Sequence, residues 1–196
     1  MLTIARRNAI LDTEFAASDK ASLHTAYSAT GTNEIASGGY ARQTITWASG
    51  ASASKSSTGN IDFTTASGDN VAWIGVWNSG GSVFRGMYPN GGSEKSFQVD
   101  LTNNRVQAEA HGLIDTDRVV FQGATLPTGV VEGTAYYVVT NTAADPDYFQ
   151  VSATLAGAAI DLTGSYPGGD ARFSKIVIDA YAATGTHRVT AITNSL

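Results

Sequence analysis

Cysteine is absent from these 196 residues, which excludes a disulfide framework, a thiolate metal site and a cysteine nucleophile. Histidine occurs only three times, so imidazole chemistry has few candidates. Charge is sparse as well, at 15% of residues, with 12 Lys and Arg against 17 Asp and Glu for a net −5. A mildly acidic chain without a basic run lacks the electrostatic footprint of a nucleic-acid binder. No apolar run approaches the roughly 18 residues that a membrane-spanning helix needs. The opening MLTIARRNAILDTEF carries two arginines but neither an apolar stretch nor a cleavage site of secretory type. The expectation is a soluble protein made in a cytoplasm, with no membrane insertion.

What the chain has instead is glycine, 21 residues of it, among abundant Ala, Thr and Ser. Small hydroxylated residues between short β-branched runs suit tight turns and pleated surfaces, which predicts an all-β protein. The shortage of charge has a further implication. A free monomer usually keeps itself soluble with charge, whereas a subunit of an assembly buries weakly charged surface.

Only the beginning reads as a helix, with Ile4, Ile10, Leu11 and Phe15 near helical spacing and no glycine or proline between them. From Ala21 the pattern becomes strands. ASLHTAYS and YARQTITWAS alternate, NIDFTTAS places Ile61 and Phe63 on one face, and VAWIGVWN is the most hydrophobic strand, followed by SVFRGMY. ASASKSSTG reads as a loop or an edge. Such spacing with Gly-rich turns argues a sandwich or barrel. The second half reads as a separate small β-module, with two strands around a turn at His111 and Gly112. Its expected core is Val106, Val119, Phe121, Tyr137, Val139, Phe149, Val151, Ile160 and Leu162. The closing GTHRVTAITNSL alternates from His187 to Ile192 and needs a sheet to join. We therefore expect it to return to the first module. That gives a discontinuous sandwich domain of residues 1–98 plus 174–196 and an inserted domain of residues 99–173.

Candidate site residues centre on SGGYARQTITW. Gly38 and Gly39 permit backbone that side chains forbid, Tyr40 can pack beside them, and Arg42 can pair with Glu34 or with a neighbouring subunit. The turn could be a ligand loop, a catalytic loop or an architectural corner, and the corner is favoured. Trp47, Trp73 and Trp77 could stack on sugars. Trp73 and Trp77, on the alternating face 71, 73, 75 and 77, better suit core packing or a subunit contact. His24, His111 and His187 have no second ligand at metal spacing. Triad members can be distant in sequence, but no Gly-x-Ser-x-Gly elbow is present. The aspartate pairs in IDTDRV and AADPDYF lack the ligand series of a calcium loop and read as turn residues. No catalytic, cofactor-binding or metal residue is assigned, and a non-enzymatic protein is expected.

Two stretches carry a family resemblance. Leu23, His24 and Thr25, then Gly31, Asn33 and Glu34, then Gly38, Gly39, Tyr40, Ala41 and Arg42, with Gly75, Trp77 and the closing Gly185 to Leu196, resemble bacteriophage minor tail or tail fibre-like virion proteins, frequent in phages of actinobacteria. Tyr27 and Ser28 stand where many relatives have Asp-Pro. The second stretch resembles a recurrent phage tail module through Ala110, His111, Gly112, Leu113, Asp117, Val119, Tyr136, Tyr137, Phe149, Gln150, Ser152, Ala153 and Thr154. The resemblance implies a jelly-roll-like β-sandwich with a short N-terminal helix and a small inserted β-module. It implies a structural virion component that assembles with other tail or capsid subunits, as a trimer or ring, and contributes to host attachment. A capsid decoration or head-fibre protein is the alternative, and a host cell-surface glycan binding module at the tail tip is a second.

Overall fold

The computed structural model describes residues 2–15, 19–91, 94–123, 125–139, 145–164 and 171–195. Among these residues one helix, α1 (Ile4–Glu14), precedes β1 (Lys20–His24), β2 (Gln43–Thr44), β3 (Ser54–Ser56), β4 (Ile61–Thr65), β5 (Asn70–Val71), β6 (Trp73–Trp77) and β7 (Phe84–Pro89). Next come β8 (Lys95–Ser96), β9 (Gln98–Asp100), β10 (Arg105–Gln107), β11 (Arg118–Gln122), β12 (Ala135–Val139), β13 (Tyr148–Ser152) and β14 (Arg172–Ile176). The chain closes with β15 (Asp179–Ala180), β16 (Gly185–Val189) and β17 (Thr193–Ser195). The protein is an all-β sandwich, with one short helix among the described residues.

The chain divides into two compact units, Met1–Tyr88 with Ile178–Leu196, and Pro89–Val177. The divisions fall outside 98/99 and 173/174, and the pairing gives the reason. β8 pairs with Arg172 and Phe173 of β14, β9 pairs with β10, and Ser174, Lys175 and Ile176 of β14 pair with β11, so residues before 99 and after 173 complete the inserted sheet. In the first unit β16 lies antiparallel to β4, from Gly185↔Thr65 to Val189↔Ile61, and β17 lies antiparallel to β3. The one closing strand expected from the alternation is thus two short strands, with Ile192 N bonded to Ser57 Oγ between them.

The four-stranded sheet of the first unit runs β2-β1-β6-β7. YARQTITWAS forms far less strand than its alternation suggests, only β2 and a bridge from Trp47 to Ser57. All five residues of β6 are buried. Val71 packs in the core with Ile74, Val76, Leu23 and Phe63, so it does not share a face with Trp73 and Trp77. Those two pair with His24 and Lys20 across β1 and occupy the sheet's other side. Two apolar or half-polar layers, one on each face, explain why WIGVW has no exposed position.

The second unit is one seven-stranded sheet, β8-β14-β11-β12-β13-β10-β9. Its core holds Val106, Val119, Phe121, Phe149, Val151, Phe173 and Leu162, with Ile160 packed against it. Tyr137 and Val139 are not in that core; Tyr136 and Val138 are. AYYVV is equally apolar in either parity, so only the pairing of Tyr136 with Val119 decides which side chains point inward. His111 and Gly112 do not make a hairpin, because β10 pairs with β9 and β13 while β11 pairs with β12 and β14.

Helix α1 starts at Thr3, whose hydroxyl accepts from Arg6 N at 3.3 Å. It buries only Leu11. Polar contacts hold it instead: Asp12 accepts from Lys55 Nζ at 2.6 Å and Gly50 N at 2.8 Å, and Asn8 Oδ1 accepts from Ala53 N at 2.8 Å. Its charges oppose its own dipole. No acidic residue lies in the first turn and no basic residue in the last, while Arg6 and Arg7 come early and Asp12 and Glu14 late.

Candidate functional site

The turn at Gly38–Arg42 and the outer face of β1 and β6 form one connected polar cluster. Gly39 adopts φ +88°, a left-handed conformation that favours glycine. Gly38 has neither a positive φ nor any atom near a virtual Cβ, so the expectation that both glycines are required holds only for the second. Tyr40 follows the turn and stacks parallel to Phe63 at 6.2 Å. Its hydroxyl donates to Glu34 Oε1 and accepts from Leu23 N, both at 2.9 Å. Burial raises the phenol well above its ordinary value, reinforced by the Glu34 charge.

Arg42 is fixed from three directions. Its Nε and Nη2 donate to the Glu34 carboxylate at 2.8 and 2.6 Å, Nη1 donates to Gly81 O at 2.6 Å, and the guanidinium lies 3.6 Å over the Trp77 ring. A forked guanidinium paired with a carboxylate and stacked on indole is a geometry lysine cannot copy. Burial alone would raise the Glu34 carboxyl, but hydrogen bonds from Arg42 and Tyr40 outweigh it and hold the group below its usual range. Trp77 leaves no space beyond this: a Cβ on Gly31 would lie 2.4 Å from its ring, at a φ of +80°.

Beneath the cluster runs a hydrogen-bonded chain that the sequence reading missed. Trp77 Nε1 donates to Ser22 Oγ at 2.8 Å, and Ser22 Oγ lies 2.6 Å from His24 Nε2. His24 Nδ1 lies 2.8 Å from Thr32 O. A carbonyl can only accept, so the proton sits on Nδ1, Nε2 accepts, and the Ser22 hydroxyl donates to it. Burial depresses the His24 imidazole, partly offset by the Thr32 carbonyl and Glu34, which keeps it neutral.

A serine bonded to a neutral histidine is the first half of a nucleophilic triad. Here Ser22 and His24 are both completely buried, and the position of the orienting carboxylate is taken by a backbone carbonyl. Gly75 presses against both: a Cβ there would lie 2.5 Å from Ser22 Oγ and from His24 Nε2. No reacting carbonyl fits beside this hydroxyl. The signal was present as a Ser-x-His spacing on a strand, which puts both side chains on one face.

The other candidates lie apart. His111 Nδ1 accepts from Leu113 N at 3.0 Å and its ring meets Phe149 edge-on at 5.0 Å. His187 lies 3.0 Å from Tyr181 Oη and 3.5 Å from Asp179, and burial holds its imidazole below the usual range. Asp117 pairs with Lys175 at 2.8 Å, Asp145 with Arg105 at 2.8 Å, and Asp147 accepts from Ala110 N at 2.9 Å. Among the described residues no group of three His, Asp or Glu could hold a metal ion. Trp73 and Trp77 are buried and Trp47 is half-buried against Phe15. Trp73 meets Tyr27 edge-on at 5.3 Å. No protein-family model matches the chain, and neither a curated protein nor a solved structure matches it significantly.

Proposed function

We propose that this chain is a structural, non-enzymatic component of a bacteriophage virion, of the minor tail or tail fibre-like kind, that works by shape and assembly. The observation that carries the reading is the internal use of the motif. Glu34, Tyr40 and Arg42, the turn's polar side chains, are committed to one another, to Trp77 and to backbone groups. A turn whose reactive atoms are spent inside the fold is a corner that sets strand geometry. The motif resemblance supplies the virion context, and the scarcity of surface charge suits a subunit surrounded by others. A glycan-binding alternative would use an exposed aromatic platform, yet none of the three tryptophans is exposed.

The experiment is to raise antibody against the recombinant chain, label purified virions and locate the gold by electron microscopy, with mass spectrometry of the same particles. Label on the tail supports the reading. Label on the head makes the chain a capsid decoration or head-fibre protein. Absence of the chain from purified particles overturns the virion role.

A further inference from the structure

On the outer face of α1, Arg6, Ala9, Ile10, Thr13 and Glu14 are all exposed. Ile10 is 36% exposed, and a shallow groove is lined by Arg6, Ala9, Ile10, Thr13 and Glu14. The arrangement of those five residues is self-complementary. Arg6 lies four residues before Ile10 and Glu14 four residues after it, so each charge is about 6 Å along the axis from a central apolar residue. A second copy of the helix laid antiparallel on this face would place Ile10 against Ile10 and each Arg6 against the other copy's Glu14. Ala9 and Thr13 are small enough to let two helix backbones approach.

The helix dipole favours the same arrangement. Arg6 and Arg7 crowd the positive end of α1, and Asp12 and Glu14 the negative end. An antiparallel neighbour brings its acidic, negative end alongside the basic, positive one and relieves both. Lys55 answers Asp12 and Arg85 answers Glu14 within the chain, whereas the Arg6 guanidinium has no partner among the described residues. The Glu14 side chain remains 60% exposed beside Arg85, leaving an oxygen to present outward.

We propose that the outer face of α1 is a two-fold contact for a second copy of this chain, with Ile10 at the axis and reciprocal Arg6–Glu14 pairs flanking it. The contact is isologous, as two-fold symmetry requires. A patch one helix wide is smaller than the about 800 Å² per partner of a stable complex, so the pair forms weakly, at concentrations on the order of 0.1–1 mM or when copies are held together. The contact deepens the assembly reading but does not depend on it. A pair in solution without incorporation into particles would fail the virion role alone, and a monomer found in particles would fail the contact alone.

The absence of cysteine makes the test simple. Ile10→Cys places one thiol at the axis, and Ser67→Cys, at an exposed loop, controls for random collision. Under mild oxidation at high protein concentration, Ile10→Cys should form disulfide dimers at least about tenfold faster than Ser67→Cys, because pairing raises the local thiol concentration. Adding Arg6→Glu to Ile10→Cys sets Glu against Glu and should abolish the excess; Arg6 is exposed and its guanidinium has no partner among the described residues, so the fold is kept, which melting curves check. Mixing Arg6→Glu with Glu14→Arg, both carrying Ile10→Cys, should restore crosslinking as a mixed dimer. Equal rates for Ile10→Cys and Ser67→Cys, or an excess insensitive to Arg6→Glu, overturns the proposal.

Discussion

Replacing Gly75 with alanine isolates the physical basis of the buried cluster. The backbone of Gly75 is not in the left-handed region, so alanine is conformationally acceptable. In the absence of neighbours it would gain about 0.4–1 kcal/mol by restricting the unfolded chain. The neighbours decide otherwise. The added methyl would lie 2.5 Å from Ser22 Oγ and from His24 Nε2, and the opposite face of the strand, Ile74 and Val76, is packed in the core. Overpacking of this kind costs about 1–3 kcal/mol. Separating Ser22 from His24, now 2.6 Å apart, leaves buried polar groups unpaired at about 1–3 kcal/mol more. The net expectation is a loss of about 1–5 kcal/mol, which for a unit of about 100 residues lowers Tm by about 5–25 °C. All three tryptophans, Trp47, Trp73 and Trp77, belong to the first unit, so tryptophan emission during heating follows that unit alone. Ser22→Ala removes one of the two clashing atoms, so Ser22→Ala with Gly75→Ala should cost less than the sum of the single changes. A Gly75→Ala protein that melts within 3 °C of the parent, about the shift expected from less than 1 kcal/mol, would falsify the steric account.

Arg42→Lys should destabilise the first unit nearly as much as Arg42→Ala, by about 1–3 kcal/mol in urea titration, because the ammonium loses both the Glu34 fork and the Trp77 stack; full retention by lysine refutes a role for the fork. In the inserted unit, Tyr136→Ala should cost about 3–5 kcal/mol and Tyr137→Ala clearly less, since only Tyr136 faces the core; the reverse order in thermal melts would show that β12 is out of register. Acid should weaken the first unit in two stages. His24 and His187 lie below their ordinary value of 6.5 when folded, so the unfolded chain takes up protons first and stability falls as pH drops below about 6.5. Glu34, held below its ordinary 4.5, keeps its contribution above that value and loses it as pH falls further. Asp19, whose carboxyl burial raises despite Arg85, works in the opposite direction. Tryptophan-monitored denaturation midpoints that stay flat from pH 7.5 to 5.5 would remove the buried neutral histidines from the account.

The sequence alone settled what depends on local chemistry. Glycine-punctuated β-branched runs specified short strands, the absence of glycine and proline in Ile4–Glu14 allowed the helix, and a cysteine-free chain ruled out thiol chemistry. The pairing of Arg42 with Glu34 was legible too, because a guanidinium and a carboxylate eight residues apart flank one turn. Tertiary structure decided whatever depends on register and on contacts between distant segments. In AYYVV only the partner strand selects Tyr136 over Tyr137, since a one-residue shift exchanges the faces of a strand without changing its composition. The division of GTHRVTAITNS between two partner strands was likewise invisible, because periodicity reports a pleat and not who lies beside it. Gly31 and Gly75 read as ordinary turn and strand glycines until Trp77, Ser22 and His24 are brought against them. Which histidine meets a serine is a matter of packing, and packing belongs to the folded chain.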